Sequence, residues 1–361
     1  MQKFYDGTKL LNLKDINKET PEIFISTSNR SAGKTTYFGK KLVNDFLKDG
    51  KKFILMYRYA YELTDVCDKF FSEIGRLFFP DYIMVQESRE KDTFVELFLQ
   101  SINDENKKIP CGYALALNKA DNIKKCSHLL ADGQIILFDE FQSESGQYAG
   151  NEVQKFHSIH TSIARGGGQQ VRYLPVIMIS NFVSLLNPYY TAMHISERLQ
   201  LNTNYLRGEG WVLEQGYNET ASNAQRESAF NRAFGDSDYN KFSSEKFYLN
   251  DNNAFVKKMD GDSRYMFTLK YDGNWYGVRY YSKQRIVYIS KGADLSHSLK
   301  FAVQVSDMTS ETTMIKTIPG YIQRMREIFD LGQIRFQDLN CKAAFFTLIS
   351  YPFLFNFSRI L

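Results

Sequence analysis

Gly33-Lys34-Thr35, at the centre of ISTSNRSAGKTTYFGKK (25–41), is the residue set with which a loop grips phosphate. Backbone N–H groups at a helix N-terminus face the phosphate oxygens, a lysine reaches the β and γ oxygens, and a Ser/Thr hydroxyl binds Mg2+. The usual G-x-x-x-x-G-K-[ST] spacing starts on glycine. Here Ser28 stands in that position, and Asn29, Arg30, Ser31 and Ala32 fill the loop, with Thr36 following Thr35. Ser28 is small enough for a tight turn. The stretch 28–36 therefore predicts an ATP and Mg2+ site, with Lys34 on the phosphates and Thr35 on the metal.

Three further segments supply what such a site needs. IILFDEFQ (135–142) is an apolar strand that delivers Asp139 to its end, where a carboxylate holds Mg2+ through water. Glu140 follows, placed to orient and polarise a water against the γ-phosphate; a kinase has no use for that water. VIMISN (176–181) ends in Ser180 and Asn181, candidates to contact the γ-phosphate or report its loss; a plain strand-terminal turn is the alternative. SIARGGGQQVR (162–172) offers Arg165 beside Gly166–Gly168 as an arginine finger for a neighbouring subunit, with Arg172 as second candidate. An ordinary solvated arginine is equally compatible with that spacing. Arg58, closing the run FILMY (53–57), is a weaker candidate for the nucleotide site.

The elements around these residues have the right order. Ile23-Phe24-Ile25 reads as a buried strand, and Phe38, Leu42 and Phe46 recur every four residues as one helix face that Asp49-Gly50 closes. Strand-like runs IFIS (23–26), FILMY, YIMV (82–85), IILF (135–138) and VIMIS (176–180) alternate with helical or loop stretches, predicting an α/β domain with a mostly parallel sheet over 1–202. Residues 203–250 read as a linking subdomain, polar over 216–248 with a short helical stretch at 224–234. From 251 to 361, YMFTLKYDGNWYGVRYYS, RIVYISKG and LKFAVQV form an antiparallel meander with a helix near 321–329: a second, smaller α+β domain.

The chain of 361 residues is long enough for two cores. Its net charge of +4 is too small to argue nucleic-acid binding by itself, so local clusters must carry that case. Lys107, Lys108, Lys119, Lys124 and Lys125 are expected in short loops that track a DNA backbone. Between 264 and 300, Arg264, Lys270, Arg279, Lys283, Arg285, Lys291 and Lys300 face only Asp272 and Asp294. Cys67, Cys111, Cys126 and Cys341 have no metal-like spacing and read as reduced thiols of a cytosolic chain. The N-terminus lacks a signal-peptide core, and the apolar C-terminal run reads as buried core or a docking segment, not a membrane span.

Lys3-Phe4-Tyr5, SNRSAGKTT, FILMYRYAYEL, GYALALNKA, LFDE and ISNFVSLLNPYY together resemble the DNA encapsidation (packaging) ATPases of small short-tailed phages, compact relatives of large terminases. Large terminases often carry a Ser-Arg-type start to this loop, so Ser28 favours the resemblance. It implies an ASCE-type P-loop ATPase domain joined to an RNase H-like domain. It also implies a homo-oligomeric ring, pentameric in the better-known members, at the portal of an empty prohead in the host cytoplasm. There it pumps double-stranded DNA inward, in some members on a packaging RNA, without a membrane. Lys34, Thr35 and Asp139 would hold ATP and Mg2+, Glu140 would activate water, Arg165 would act in trans and Arg30 within its own subunit. A helicase or other DNA-dependent P-loop translocase, a P-loop kinase, a non-hydrolysing scaffold and a cutting terminase are the alternatives. The second domain is expected to be nuclease-dead: the interior of its opening strand, Phe267-Thr268-Leu269-Lys270, holds no acid, and Asp272, Asp294 and Asp307 are too few for a metal pair.

Overall fold

The computed structural model describes residues 4–165, 170–185, 187–195, 198–199, 203–233, 255–315 and 318–349. The chain divides into two compact units, 1–189 with 195–250, and 190–194 with 251–361.

Among the described residues, the first unit has nine strands: β1 (Ile23–Ser28), β2 (Lys52–Tyr57), β3 (Tyr82–Arg89), β4 (Phe94–Ser101), β5 (Asp104–Ala116), β6 (Gly133–Asp139), β7 (Val176–Asn181), β8 (Tyr205–Gly208) and β9 (Trp211–Gln215). Helices α1 (Thr8–Asn12), α2 (Lys34–Asp49), α3 (Val66–Phe78), α4 (Ala120–Cys126), α5 (Glu152–Ala164), α6 (Pro188–Ala192), α7 (Glu219–Glu227) and α8 (Ala229–Ala233) connect or cover them. In space the strands run β3-β4-β5-β2-β6-β7-β1-β9-β8. From β5 to β9 neighbours are parallel, so their C-terminal ends share one edge. In an open parallel sheet that edge is where a ligand sits. The strand β7 lies between the phosphate-loop strand β1 and the acid-pair strand β6, the extra strand that defines the ASCE arrangement.

The helix α2 forms for the reasons its sequence suggests. Phe38, Leu42, Val43 and Phe46 are buried against the sheet, each contributing about 1.5–3 kcal/mol. Gly50 ends it at φ 69°, its N–H donating to the Phe46 carbonyl at 2.8 Å. Only a residue without a Cβ takes that left-handed stop cheaply.

Two expectations need correction here. YIMV does not join the parallel set; β3 is the edge of an antiparallel flank, β3-β4-β5, whose last strand carries GYALA. The 203–250 segment is not a linker throughout. Trp211–Gln215 is buried along its whole length and pairs in parallel with β1, and Tyr205–Gly208 pairs antiparallel with it. Four- and five-residue strands carrying Glu and Gln show no periodicity, so the sheet alone reveals them. Residues 234–254 lie outside the described residues.

In the second unit β10 (Arg264–Tyr271), β11 (Asn274–Tyr281) and β12 (Ile286–Ser290) form the expected antiparallel meander. Strands β13 (Lys300–Ala302) and β14 (Thr313–Met314) add in parallel beyond β10, and β15 (Ile334–Phe336) beyond β12. The order β12-β11-β10-β13-β14 is that of an RNase H-like sheet. Phe267, Leu269, Val278 and Ile289 pack with Ile322 and Met325 of α9 (Pro319–Asp330) and Phe345 and Leu348 of α10 (Leu339–Ile349). The C-terminal residues 350–361 lie outside the described residues.

Candidate active site

The phosphate loop leaves β1 at Ser28, in register with Asn181 of β7, and enters α2 at Lys34. Gly33 has φ 95°, a conformation that a Cβ would strain, and Ser31 has φ 62°. Lys34 is buried, and its ammonium donates to Ser28 Oγ at 2.7 Å and to Asn181 Oδ1 at 3.5 Å. No carboxylate lies within ion-pair distance of it among the described residues. Burial pushes Lys34 down to about 8, opposed by the charges of Asp139 and Glu214, and a bound polyanion would raise it again.

The strand β6 brings Asp139 to the same edge, where Thr35 Oγ1 donates to Asp139 Oδ2 at 2.9 Å. Neighbouring oxygens of an octahedral Mg2+ with ~2.0–2.1 Å bonds lie about 2.9 Å apart, so hydroxyl and carboxylate fit that ion in chemistry and in spacing. Burial pushes the Asp139 carboxyl up, opposed by the Thr35 hydroxyl and the Glu140 amide. Glu140 follows at φ 53°. A non-glycine residue held there stores on the order of 1–3 kcal/mol and is a mark of functional sites. Burial, then the charges of Asp139 and Glu144, raise its carboxyl above the ordinary glutamate range, which suits a group poised to take a proton.

Arg58 is buried against this turn. Its Nε pairs with Glu152 Oε2 at 2.9 Å, and its Nη2 donates to the carbonyl oxygens of Glu140 at 3.2 Å and Phe141 at 2.7 Å. Glu152 in turn accepts from Tyr189 Oη and from the Ala149 N–H. The guanidinium thus braces the acid turn, a correction to its sequence-based assignment. The cause is non-local: its partners are Glu152 of α5 and two carbonyls just past the end of β6, more than 80 residues on.

Loop residues divide similarly. The Asn29 side chain and the Asn218 backbone exchange two hydrogen bonds at 3.0 and 2.9 Å, and Ser31 Oγ accepts from Gln225 Nε2 at 3.0 Å, so both side chains clasp α7. Ala32 accepts from the Tyr5 N–H at 3.0 Å, and Tyr5 Oη donates to the buried Glu214 at 2.6 Å, which ties the aromatic N-terminal stretch to the loop. Thr36 lies half-exposed beside Thr35. Arg30 extends over the site to Glu144, Nη1 to Oε1 at 3.2 Å. Asn181 reaches both Lys34 and Glu144, whereas the Ser180 hydroxyl donates to the Asn181 carbonyl and stays away. The sequence reading missed Glu144, Asn218, Gln225 and Glu214. Only Glu144, four residues past Glu140, had a local signal.

The two finger candidates separate cleanly. Arg172 donates to the Gly133 carbonyl at 2.6 Å and the Ile163 carbonyl at 3.4 Å, an internal capping role. Arg165 is exposed at the C-terminal end of α5, ~20 Å along the 13-residue helix from the Glu152 end. It lines a groove of 830 Å³ with Lys124, His128 and His157, away from the phosphate loop of its own chain. Gly166–Gly168 lie outside the described residues. A smaller cleft, 270 Å³, adjoins the loop on its β9 flank, lined by Phe4, Tyr5, Asp6, Ser28, Ala32 and Tyr217 among others.

The lysines expected in DNA-tracking loops are not in loops. Lys107 and Lys108 belong to β5, Lys119 closes the 3-10 turn Leu117–Lys119, and Lys124 and Lys125 sit on α4. Lys108 pairs with Glu87, Lys119 donates to the Asp92 carbonyl, and Lys124 pairs with Asp121 at 3.1 Å. Lys107 and Lys125 are exposed without an ion pair among the described residues. In the second unit Lys291 pairs with Asp338 and Lys300 with Glu311, acids outside the window in which the positive excess was counted.

Comparison with known proteins agrees with this geometry. The chain is 24% identical over 339 residues to the DNA packaging protein of Bacillus phage phi29, covering 93% of each, and 22% identical over 315 residues to that of Bacillus phage B103, covering 86% of this chain and 90% of the other. Its fold is similar to that in the bacteriophage Phi-29 viral genome packaging motor assembly (TM-score 0.62, 21% identity, 96% of this chain and 100% of that one). It is also similar to the Phi-28 gp11 DNA packaging motor (TM-score 0.63, 16% identity, 98% and 99%). The sequence profile of the podovirus DNA encapsidation protein (Gp16) family matches residues 2–351, so the chain belongs to that family and is a phage DNA-packaging motor protein.

Proposed function

We propose that this chain is the ATP-hydrolysing subunit of a ring that drives double-stranded DNA through the portal of an empty prohead. The convergence of Lys34, Thr35, Asp139 and Glu140 on one sheet edge is the observation that carries it. Lys34 neutralises the β and γ oxygens, Thr35 and Asp139 hold Mg2+, and Glu140 orients a water and accepts its proton. The metal, when bound, withdraws charge from the transferred phosphoryl group. Arg30 and Asn181 serve the γ-phosphate end. The nucleoside fits the β9-flank cleft, because the acids occupy the opposite flank of β1.

Arg165 acts on the nucleotide of a neighbouring subunit. Its exposure at the far end of α5 supports an action in trans and argues against one in cis. Of the five lysines, we assign Lys107 and Lys125 to DNA backbone contact, since Lys108, Lys119 and Lys124 already have partners. We assign the motor to the host cytoplasm and, transiently, to the portal vertex. A pentameric ring and a packaging-RNA partner are carried over from the family resemblance. The RNase H-like unit contacts nucleic acid or the packaging machinery without cutting. Asp307 supports this, since both its carboxylate oxygens accept backbone N–H groups, from Asp272 and Gly273 at 2.8 Å each. ATP turnover measured with and without double-stranded DNA and empty proheads tests the proposal. Stimulation by both is expected, and absence of turnover in every combination ends it.

A further inference from the structure

Two side chains at the γ-phosphate end of the site, Arg30 and Asn181, converge on a carboxylate that belongs to the protein. Arg30 Nη1 donates to Glu144 at 3.2 Å (Oε1) and 3.5 Å (Oε2), and Asn181 Nδ2 donates to Glu144 Oε1 at 3.3 Å. Through its other amide atom Asn181 accepts from Lys34 Nζ at 3.5 Å. The segment that carries Glu144 joins β6 to α5 without regular structure. It turns at Ser143–Gly146, with Gly146 at φ 70° and its N–H bonded to the Ser143 carbonyl. Glu144 thus sits on an irregular turn four residues beyond Glu140, outside the strand that carries Asp139.

We propose that Glu144 stands in for the γ-phosphate, holding Arg30 and Asn181 until a nucleoside triphosphate displaces it, and so sets how strongly the site prefers ATP to ADP. The inference rests on the ATPase reading above. Its chemistry is competition between two anions for one set of donors. A terminal phosphate offers three oxygens and more negative charge than a carboxylate, so it wins both donors. A diphosphate ends one phosphate short, and Glu144 then keeps them. The pair is displaceable by design: the Arg30 and Glu144 side chains are 43% and 37% exposed, and an ion pair so solvated holds its partners weakly. After hydrolysis the same carboxylate recaptures Arg30 and Asn181, which favours departure of the cleaved phosphate.

Calorimetric titration of the full-length chain in Mg2+ with ATPγS and with ADP tests this. In Glu144→Gln and Glu144→Ala, ATPγS is expected to bind about 2–5-fold tighter, the range of a weak exposed ion pair, with ADP affinity unchanged. In an Arg30→Ala background the gain should shrink, because the contested donor is gone. An unmoved ATPγS-to-ADP affinity ratio, or weaker ATPγS binding, overturns the role of Glu144 and leaves the ATPase reading intact. Failure of both nucleotides to bind the wild-type chain overturns both.

Discussion

The Arg58 guanidinium and the Glu152 carboxylate form a buried pair at 2.9 Å against the Asp139–Glu140 turn. Because Arg58 also donates to the Glu140 and Phe141 carbonyls, this pair fixes the left-handed backbone from which Glu140 projects. Removing one partner leaves the other charge buried, which costs ~3–5 kcal/mol. Arg58→Ala is therefore expected to lower the melting temperature and also kcat, while Arg58→Lys keeps the charge and loses the forked geometry. A variant with normal stability and turnover would show that the brace is dispensable.

Glu140→Gln separates binding from chemistry. ATP binding should stay near wild type, since Lys34, Thr35 and Asp139 are untouched. Turnover should fall ~100-fold or more, the cost of losing a group positioned for the transition state. Residual turnover within a few-fold of wild type sinks the assignment.

The arginines differ in kind. Arg165→Ala changes an exposed residue, so folding stability should shift by no more than about 0.5 kcal/mol while ATP turnover of the assembled ring collapses. Mixed with Lys34→Ala subunits it should regain activity, each chain supplying what the other lacks. Arg172→Ala should instead destabilise the fold, because the Gly133 and Ile163 carbonyls lose their donor. Equal melting curves for the two variants would contradict this division.

The RNase H-like unit is expected to leave supercoiled and linear DNA intact in Mg2+ or Mn2+. Asp307→Ala should destabilise it by ~1–3 kcal/mol through two unpaired turn amides, with no effect on ATP turnover. Metal-dependent cleavage abolished by Asp272→Asn or Asp307→Asn would make the protein a cutting terminase.

Burial pushes the Cys67 and Cys341 thiols up to about 12 from their ordinary 9.0, and raises Cys111 and Cys126 as well. With native values above unfolded ones, the unfolded chain loses these protons first as pH rises. Stability is thus unaffected by the thiols well below pH 9 and declines from there toward pH 12. At pH 8 a disulfide probe should react with few thiols in the native chain and with all four in denaturant. Rapid native labelling of all four would show that the thiols are not shielded.

The candidate site was legible in the sequence because the pattern that marks it is local. A strand, a loop with Gly33-Lys34-Thr35 and an amphipathic helix are contiguous, and Asp139-Glu140 end an apolar run whose length identifies the strand. The meander of the second unit was legible for the same reason, through β-branched and aromatic runs broken at Asp272-Gly273. What the sequence left undecided depends on residues far apart in the chain. The roles of Arg58, Asn29 and Ser31 follow from partners about 94, 189 and 194 residues away, which no pattern in a short window reports. Arg165 and Arg172 flank one glycine run and look alike until folding turns Arg172 inward to the Gly133 and Ile163 carbonyls and leaves Arg165 in solvent. The strand Trp211–Gln215 was hidden because the neighbour that buries it, β1, precedes it by almost 190 residues; only the tertiary sheet supplies the hydrogen-bonding edge that makes those five residues a strand.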